Sequence, residues 1–292
     1  MISVIIPTFN RGSLIKETIE SILNQTYKDF EIIIIDDHST DNTFQIVNRF
    51  ANLDNRVYIY KRPLNLPKGG NSCRNFGLKV SRGDYIKWLD SDDLLEPSAL
   101  ELQYQNILNM KSDVSVCNSI NFTTDPIFRK TSRWGSLNGS ISPSSFISGL
   151  FRWHTCSGLW NRQYFENLEV WEIGLTNSQE WLMHLTQIVN GCRISIVEDE
   201  LCLIRVHKGS MSSSNNKSGR YYFNEVKARL FAIDILYKNR ETIDKEAKRK
   251  IFHQIYIYHI FSAYKLNFFG FFQLFFYYFF SIHKITFIYF SK

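Results

Sequence analysis

Short apolar strands alternate with helices through the first ninety residues, and this alternation limits the chain to few folds. Strand and helix patterns follow one another at 3–6, 13–24, 30–35, 43–50, 57–60, 70–80 and 84–89. Ser13 is expected to cap the first helix, because serine side chains accept hydrogen bonds from the amides of a first turn. Alternating elements of this length predict an α/β fold in which helices cover a parallel sheet.

The pattern becomes irregular after residue 100, although helices and strands continue. We predict helices at 97–110, 158–168 and 178–190, strands at 113–117, 193–197 and 201–206, and a loop at 123–145. We therefore expect two halves of one domain, at 1–100 and 101–215, followed by a helical tail at 216–292.

Acidic residues follow two of the predicted strands, at Asp36–Asp37 and Asp90–Asp93. Ligands of open α/β sheets bind at the carboxyl ends of the strands. Three carboxylates within four residues repel one another, and a bound Mg²⁺ or Mn²⁺ that also contacts a diphosphate would relieve the repulsion. An ordinary acidic turn that caps the following helix is the alternative.

Five blocks carry a family resemblance, in order and at matching spacing. They are SVIIPTFNR at 3–11, SILNQTY at 21–27, DDHSTD at 36–41, RNFG at 74–77 and GDYIKWLDSDD at 83–93. Together they resemble the family-2 glycosyltransferases of the GT-A fold, of the bacterial surface-polysaccharide type. A weaker resemblance continues from Gln179–Trp181 to Arg205–His207.

The resemblance implies a Rossmann-like, mostly parallel central sheet flanked by helices, in which residues 1–100 form the nucleotide-sugar-binding half and residues 101–215 the acceptor-binding half of the domain. It also implies a nucleotide-sugar donor such as a UDP-sugar, a divalent cation (Mn²⁺ or Mg²⁺), and an inverting transfer to a hydroxyl. The acceptor would be lipid-linked or a polysaccharide.

The donor-side residues follow from the same resemblance. Asp37 would bind the base edge, with a helix cap as the alternative, and Arg74 would lie near the diphosphate, with a surface salt bridge as the alternative. Asp92 would be the direct metal ligand, and Asp93 would cap the next helix. The other nucleotide-sugar contacts would be Thr8, Asn10, Arg11, Asp90 and Ser91.

The catalytic base of the family lies in an acidic-Asp-aromatic motif at a helix start. Gln179-Glu180-Trp181 matches it with two departures, because Gln replaces the first acid and Glu replaces the Asp. Glu180 is the candidate base, since a glutamate can take the proton of the acceptor hydroxyl. A glutamate that only complements the helix dipole is the alternative.

His207 matches a family segment whose histidine completes the metal shell, and a structural histidine is the alternative. Arg205 and Lys208 would then flank the diphosphate, and the polar run 210–218 would order over bound donor. Trp160 and Trp181 could stack on sugar faces, although tryptophan more commonly packs in cores.

Two other functions fit parts of the sequence. A nucleotidyltransferase also uses metal-bound phosphates on an α/β sheet, but its Gly-rich basic loop is represented only by Lys68-Gly69-Gly70, which is too short and too late. A scaffold that binds donor without catalysis is suggested by the altered Gln179–Glu180 pair.

The five scattered cysteines and the short N-terminal apolar run lead us to expect a cytoplasmic protein without disulfides or a secretion signal. Residues 217–292 carry 13 basic and 5 acidic residues, whereas the preceding residues are slightly acidic. Lysines bracket the aromatic, uncharged segment 266–282. We expect peripheral binding to the anionic inner face of the cell membrane rather than binding to nucleic acid. A membrane span and packing on protein are the alternatives.

Overall fold

The computed structural model describes residues 1–124, 128–165, 169–207, 219–239 and 245–265, and the chain divides into two compact units. The first unit comprises Met1–Leu137, Trp153–Ile173 and Arg193–Ser210. The second unit comprises Asn138–Arg152, Gly174–Cys192 and Met211–Lys292. Among the described residues, all strands belong to the first unit, and the second unit is helical.

One sheet forms the centre of the first unit. Its strands are β1 (Ile2–Thr8), β2 (Phe30–Asp36), β3 (Val57–Lys61), β4 (Tyr85–Trp88), β5 (Leu94–Leu95), β6 (Val114–Thr123), β7 (Arg129–Trp134), β8 (Gly158–Asn161) and β9 (Ile194–Arg205). Their order is β3-β2-β1-β4-β8-β6-β9-β5, and β7 pairs with β6. The first four strands are parallel, β8 is antiparallel to β4 and β6, and β6 is parallel to β9. The predicted α/β fold is confirmed, with a sheet that is mixed in its second half.

Four helices belong to the first unit: α1 (Ile15–Leu23), α2 (Thr43–Leu53), α3 (Gly70–Val80) and α4 (Ala99–Met110). Every residue of β1 and β2 is buried, which is typical of parallel strands covered on both faces. On one face Ile15, Ile19 and Ile22 of α1 join the buried apolar cluster that contains Val4 and Ile32. This packing explains the helical spacing of the apolar residues at the start of the chain.

The second unit contains α5 (Pro143–Ile147), α6 (Gln179–Val189), α7 (Gly219–Lys238) and α8 (Lys245–Lys265). Val226, Leu230 and Ile233 of α7 are buried at helical spacing, so this helix has one apolar face. Within the described parts of the chain, no helix is both long and apolar enough to cross a membrane. The aromatic segment 266–282 and the polar run 210–218 lie outside the described residues.

The secondary structure predicted for three segments of the chain is wrong in part. Residues 158–161 form β8 rather than a helix, because they fill the gap between β4 and β6. The predicted loop at 123–145 contains β7 and α5, and the two strands expected at 193–197 and 201–206 are a single strand, β9. Trp160 of β8 is fully buried and packs 5.4 Å from the ring of Phe165, so it cannot stack on a sugar.

The predicted cap at Ser13 is also wrong, because α1 begins at Ile15 and Leu14 occupies the cap position. The carbonyl of Arg11 accepts hydrogen bonds from the amides of Leu14 and Ile15, both at 2.9 Å. A backbone turn therefore replaces the side-chain cap at this helix end.

Glu31 of β2 is buried and forms an ion pair with Arg82, whose side chain is 62% exposed. Its carboxylate accepts hydrogen bonds from Ser3 Oγ at 2.7 Å and from Arg82 Nη2 at 2.8 Å. Burial alone would raise the pKa of Glu31, but the hydrogen bonds from Arg82 and Ser3 hold this pKa below its ordinary value. The pair stabilises the native structure at neutral pH.

Replacing Gly77 with alanine is expected to lower the free energy of unfolding by about 1–3 kcal/mol, as for other overpacked cores. An added Cβ would overlap Cγ2 of Ile5 and approach Cγ1 of Ile35, where α3 lies against β1 and β2. Urea unfolding measures the change. Lys79→Ala, at an exposed position of the same helix, should change the value by less than about 0.5 kcal/mol. A Gly77→Ala variant as stable as the wild type would contradict this packing.

Candidate active site

The carboxyl ends of β1, β2 and β4 meet at one edge of the sheet. Thr8, the last residue of β1, pairs with Asp36, the last residue of β2, and Ile5 of β1 pairs with Trp88, the last residue of β4. The loops that follow these three strands carry the predicted nucleotide and metal residues. The sheet therefore brings the predicted donor-side residues of the first half to one edge.

The loop after β1 is tied to the loop after β2 through Asn10. Its Oδ1 accepts a hydrogen bond from the amide of Thr40 at 2.8 Å, and its own amide donates to Ser39 Oγ at 2.9 Å. Asn10 has a φ of 52°, in the left-handed region that asparagine tolerates better than most residues. Thr8 Oγ1 is buried and has no hydrogen-bond partner among the described residues. Asn10 therefore shapes the loop, while Thr8 retains a donor and acceptor at the strand end.

Asp37 is buried and holds the loop at 62–69. Its carboxylate accepts hydrogen bonds from Arg62 Nε at 2.5 Å and from the amide of Gly69 at 2.9 Å. Arg62 also donates to the carbonyls of Pro63 and Leu66. Asp37 therefore binds the loop at 62–69 and does not cap a helix, the alternative role considered for it. Arg62 was missed in the sequence, because nothing near it in the chain indicates its partner.

Arg74 of α3 lies in a buried ion pair with Asp90. Arg74 Nη2 donates to Asp90 Oδ1 at 2.7 Å, Nη1 donates to Asn71 at 3.2 Å, and the guanidinium stacks 4.6 Å from the ring of Trp171. The alternative role of Arg74, a salt bridge on the surface, is therefore wrong, because only 8% of its side chain is exposed. Burial would raise the pKa of Asp90, but the positive charge of Arg74 outweighs it and holds this pKa below its ordinary value.

Asn75 fixes the ring on which Arg74 stacks. Its Nδ2 donates to the carbonyl of Trp171 at 2.8 Å, and its Oδ1 accepts from the amide of the same residue at 2.9 Å. One amide side chain thus satisfies both backbone groups of Trp171. Sequence reasoning missed Trp171, because the segment that contains it shows no motif of its own.

Two side-chain nitrogens approach the same oxygen of Asp92. His207 Nε2 lies 3.0 Å from Asp92 Oδ2, and Arg11 Nε lies 3.4 Å from it. Asp92 and His207 are half-buried, whereas Ser91 between the two acids is buried. The structure therefore brings together Arg11, Asp92 and His207, three residues that the sequence assigned to one site.

The pair formed by Asp92 and His207 fits a divalent cation. Neighbouring ligands of an octahedral ion with bonds near 2.1 Å lie about 3 Å apart, close to the measured distance between Asp92 Oδ2 and His207 Nε2. A carboxylate oxygen with an imidazole nitrogen suits Mn²⁺ better than Mg²⁺. This pair is the candidate metal site of the first unit.

Two neighbours of Asp92 differ from expectation. Asp93 is not a helix cap, because the cap position of α4 is Ser98 and Asp93 Oδ1 accepts the amide of Arg205 at 2.9 Å. Burial and the nearby charges of Asp90 and Asp92 raise the pKa of Asp93 well above its ordinary value.

Only 2% of the Arg205 side chain is exposed, and it donates to the carbonyl of Asp92 at 2.8 Å and to Glu17 at 2.7 Å. Arg205 therefore holds the backbone of the loop that carries Asp92, and its charge is not exposed to a ligand. Lys208 lies outside the described residues.

A second group of metal-ligand types lies behind this loop. One ligand atom each of Asp93, His154 and Cys156 lies within 4.8 Å of the others. His154 Nδ1 already accepts the amide of Cys156 at 3.3 Å and lies 3.1 Å from its sulfur. The side chains of His154 and Asp93 are 13% and 4% exposed and Cys156 is fully buried, whereas His207 and Asp92 are 25% and 17% exposed. The half-buried pair of Asp92 and His207 is therefore the more accessible candidate for a cation.

The predicted base lies in the second unit. Gln179 is the first residue of α6, as the sequence predicts, and Glu180 is half-buried in its first turn. Ser178 precedes the helix with a φ of 58°. The Oε1 atom of Gln179 is buried and has no hydrogen-bond partner among the described residues. A negative charge at Glu180 is favoured there by the positive end of the helix dipole.

Comparison with known proteins shows similarity in sequence and fold. A family model described as "Glycosyl transferase family 2" matches residues 3–168. The chain is 43% identical over 121 residues to the poly(ribitol-phosphate) beta-N-acetylglucosaminyltransferase TarP of Staphylococcus aureus, which covers 39% of this chain and 35% of TarP. It is 46% identical over 93 residues to the Escherichia coli UDP-Glc:alpha-D-GlcNAc-diphosphoundecaprenol beta-1,3-glucosyltransferase WfaP, which covers 32% of this chain and 36% of WfaP.

These two matches span about a third of each relative. In fold, the chain is similar to the crystal structure of S. aureus TarS 1-349 in complex with UDP-GlcNAc, with a TM-score of 0.67 at 21% identity. The similarity covers 88% of this chain and 72% of that one. The likeness at this identity concerns the fold.

Proposed function

The chain belongs to glycosyltransferase family 2, and from this membership we propose that it transfers a sugar from a nucleotide-diphosphate donor to a hydroxyl group. We propose a UDP-sugar as the donor and a lipid-linked or polysaccharide acceptor. The names of the two similar enzymes support the choice of acceptor, because they give poly(ribitol-phosphate) and a diphosphoundecaprenol-linked sugar as acceptors.

One observation carries the proposal: Arg11 and His207 converge on a single oxygen of Asp92 at the carboxyl edge of the sheet. Arg74 of α3 pairs with Asp90, two residues before Asp92, at 2.7 Å. This arrangement offers positive charge and metal ligands next to the strand ends where nucleotides bind in open α/β sheets. The loop that carries Thr8 and Asn10 would contact the nucleotide, and Asp37 with Arg62 would shape the wall for its base.

Asp92 and His207 would hold Mn²⁺ or Mg²⁺, which when bound supplies Lewis-acid stabilisation of the charge on the leaving diphosphate. Arg11 would add a second positive charge on the same side. Asp90, kept ionised by Arg74, would accept a hydrogen bond from the donor ribose.

Glu180 would accept the proton of the acceptor hydroxyl as that oxygen attacks the anomeric carbon. Attack from the face opposite the leaving diphosphate inverts the configuration of the sugar.

We also propose that the protein acts at the cytoplasmic face of a membrane. The support for this proposal is the composition of the tail, whose basic residues and aromatic segment 266–282 suit an anionic interface. A variant truncated after Lys265 should lose binding to anionic vesicles if the tail is the anchor, and unchanged binding would refute that role.

A nucleotide-sugar panel tests the reaction itself. With Mn²⁺ present, one UDP-sugar should release nucleoside diphosphate and label an acceptor, and EDTA should stop both. Release of pyrophosphate when the protein is instead given a nucleoside triphosphate and a sugar 1-phosphate would indicate a nucleotidyltransferase. Donor binding without any release would indicate a non-catalytic protein.

A further inference from the structure

Two opposite charges are buried together on α7 of the second unit. Arg229 Nη1 lies 2.8 Å from Glu225 Oε2, and the two side chains are 6% and 5% exposed. Buried ion pairs gain little stability unless further hydrogen bonds satisfy their remaining atoms. The partners of this pair therefore indicate what it does.

Its partners lie in the turn that precedes α6. Asn177 Nδ2 donates to Glu225 Oε1 at 2.6 Å, and Ser178 Oγ donates to the same oxygen. Arg229 Nη1 donates to Ser178 Oγ at 3.0 Å. The ion pair is thus bound to the two residues immediately before Gln179.

Ser178 needs such support. Its φ of 58° lies in the left-handed region, which costs a non-glycine residue about 1 kcal/mol or more. Its side chain does not cap α6, because the hydroxyl is directed to Glu225 instead. The contacts from α7 therefore hold a backbone conformation that serine alone does not favour.

Arg229 also holds the residue that follows Glu180. Its guanidinium lies 4.0 Å from the ring centre of Trp181 and 4.9 Å from that of Tyr258, and its Nε donates to Gln254 at 3.2 Å. Arg229 therefore contacts the chain on both sides of Gln179–Glu180, at Ser178 and at Trp181.

We propose that Glu225 and Arg229 are positioning residues for the catalytic carboxylate Glu180. This inference rests on the proposed role of Glu180 as base. A base must lie within hydrogen-bond reach of the hydroxyl proton, and a displacement of about 1 Å can lower a rate about 100-fold. By fixing both flanks of the Gln179–Glu180 pair, the ion pair would set the place and direction of the Glu180 carboxylate.

Glu225→Asp tests the proposal, because it keeps the charge beside Arg229 but withdraws the carboxylate from the Asn177–Ser178 turn. We expect kcat to fall about 100-fold while the KM for the donor stays within about twofold. Arg229→Lys, which loses the planar contacts with Ser178 and Trp181, should act in the same direction. Glu31→Gln, which removes the ion pair of the buried Glu31 with Arg82 in the first unit, is the control and should lower the melting temperature without lowering kcat at a temperature where all variants are folded.

Combining the change with Glu180→Gln separates the possible roles. If Glu225 acts through Glu180, Glu225→Asp should cause no further loss in the residual rate of the Glu180→Gln enzyme. An unchanged kcat in Glu225→Asp, or the same fractional loss with and without Glu180, would overturn the positioning role. Normal turnover by Glu180→Gln alone would instead overturn the base assignment, and with it the reason for positioning.

Discussion

Replacing Asp92 with asparagine should lower the rate of sugar transfer about 1000-fold and remove its dependence on Mn²⁺. Asparagine has nearly the same shape as aspartate but no negative charge, so the cation would lose its anionic ligand beside His207. The leaving diphosphate would then lack most of its charge stabilisation, a contribution of this order in comparable sites. Initial rates measured across a Mn²⁺ series give both quantities.

Asp29→Asn is the matched control for this experiment. Asp29 is an exposed aspartate of the same unit that pairs with the chain's amino terminus. Its replacement should leave the rate and the Mn²⁺ dependence unchanged. An Asp92→Asn enzyme with near-normal, EDTA-sensitive activity would show that the metal is held elsewhere.

Replacing Glu180 with glutamine should lower kcat by a factor of about 100 to 10,000, the range typical of a lost general base. Glutamine keeps the size and one hydrogen-bond acceptor but cannot take the proton of the hydroxyl. Binding of the nucleotide-sugar should change less than about twofold, because the donor-side residues lie in the first unit. Isothermal titration with the donor and single-turnover rates with the acceptor separate the two effects.

Glu246→Gln, an exposed glutamate of α8 that pairs with Lys250, controls for loss of charge in the second unit. It should behave as the wild type in both measurements. Retained turnover in Glu180→Gln would remove Glu180 from the mechanism and direct attention to other carboxylates.

Local sequence patterns predicted the first half of the fold well. The expected helix at 70–80 is α3 with the same bounds, and the buried strands β1 and β2 follow from continuous apolar runs. The sequence pattern predicted a helix at 158–168, but residues 158–161 form strand β8. Neighbouring strands provided the hydrogen bonds there, and a single segment contains no information about such neighbours.

The candidate site was predictable where a motif spans adjacent residues, as at Asp90–Asp93. The contacts that support the site were not predictable, because Asp37 is 25 residues from Arg62 and Asn75 is 96 residues from Trp171 in the sequence. The approach of His207 to Asp92 bridges 115 residues and was anticipated only through the family resemblance. Long-range pairs of this kind depend on how the sheet is assembled.

The position of β9 also has a consequence for the order in which a growing chain can fold. β1 to β4 form a continuous parallel set that can pair once the first ninety residues have been made. β9, at 194–205, lies between β6 and β5, and only Val206 separates its end from His207. A ribosome-bound chain that stops before residue 194 would leave β6 with an open edge, which invites pairing between chains. The nucleotide half would therefore form early during synthesis, whereas the proposed metal site would be among the last parts of the sheet region to be completed.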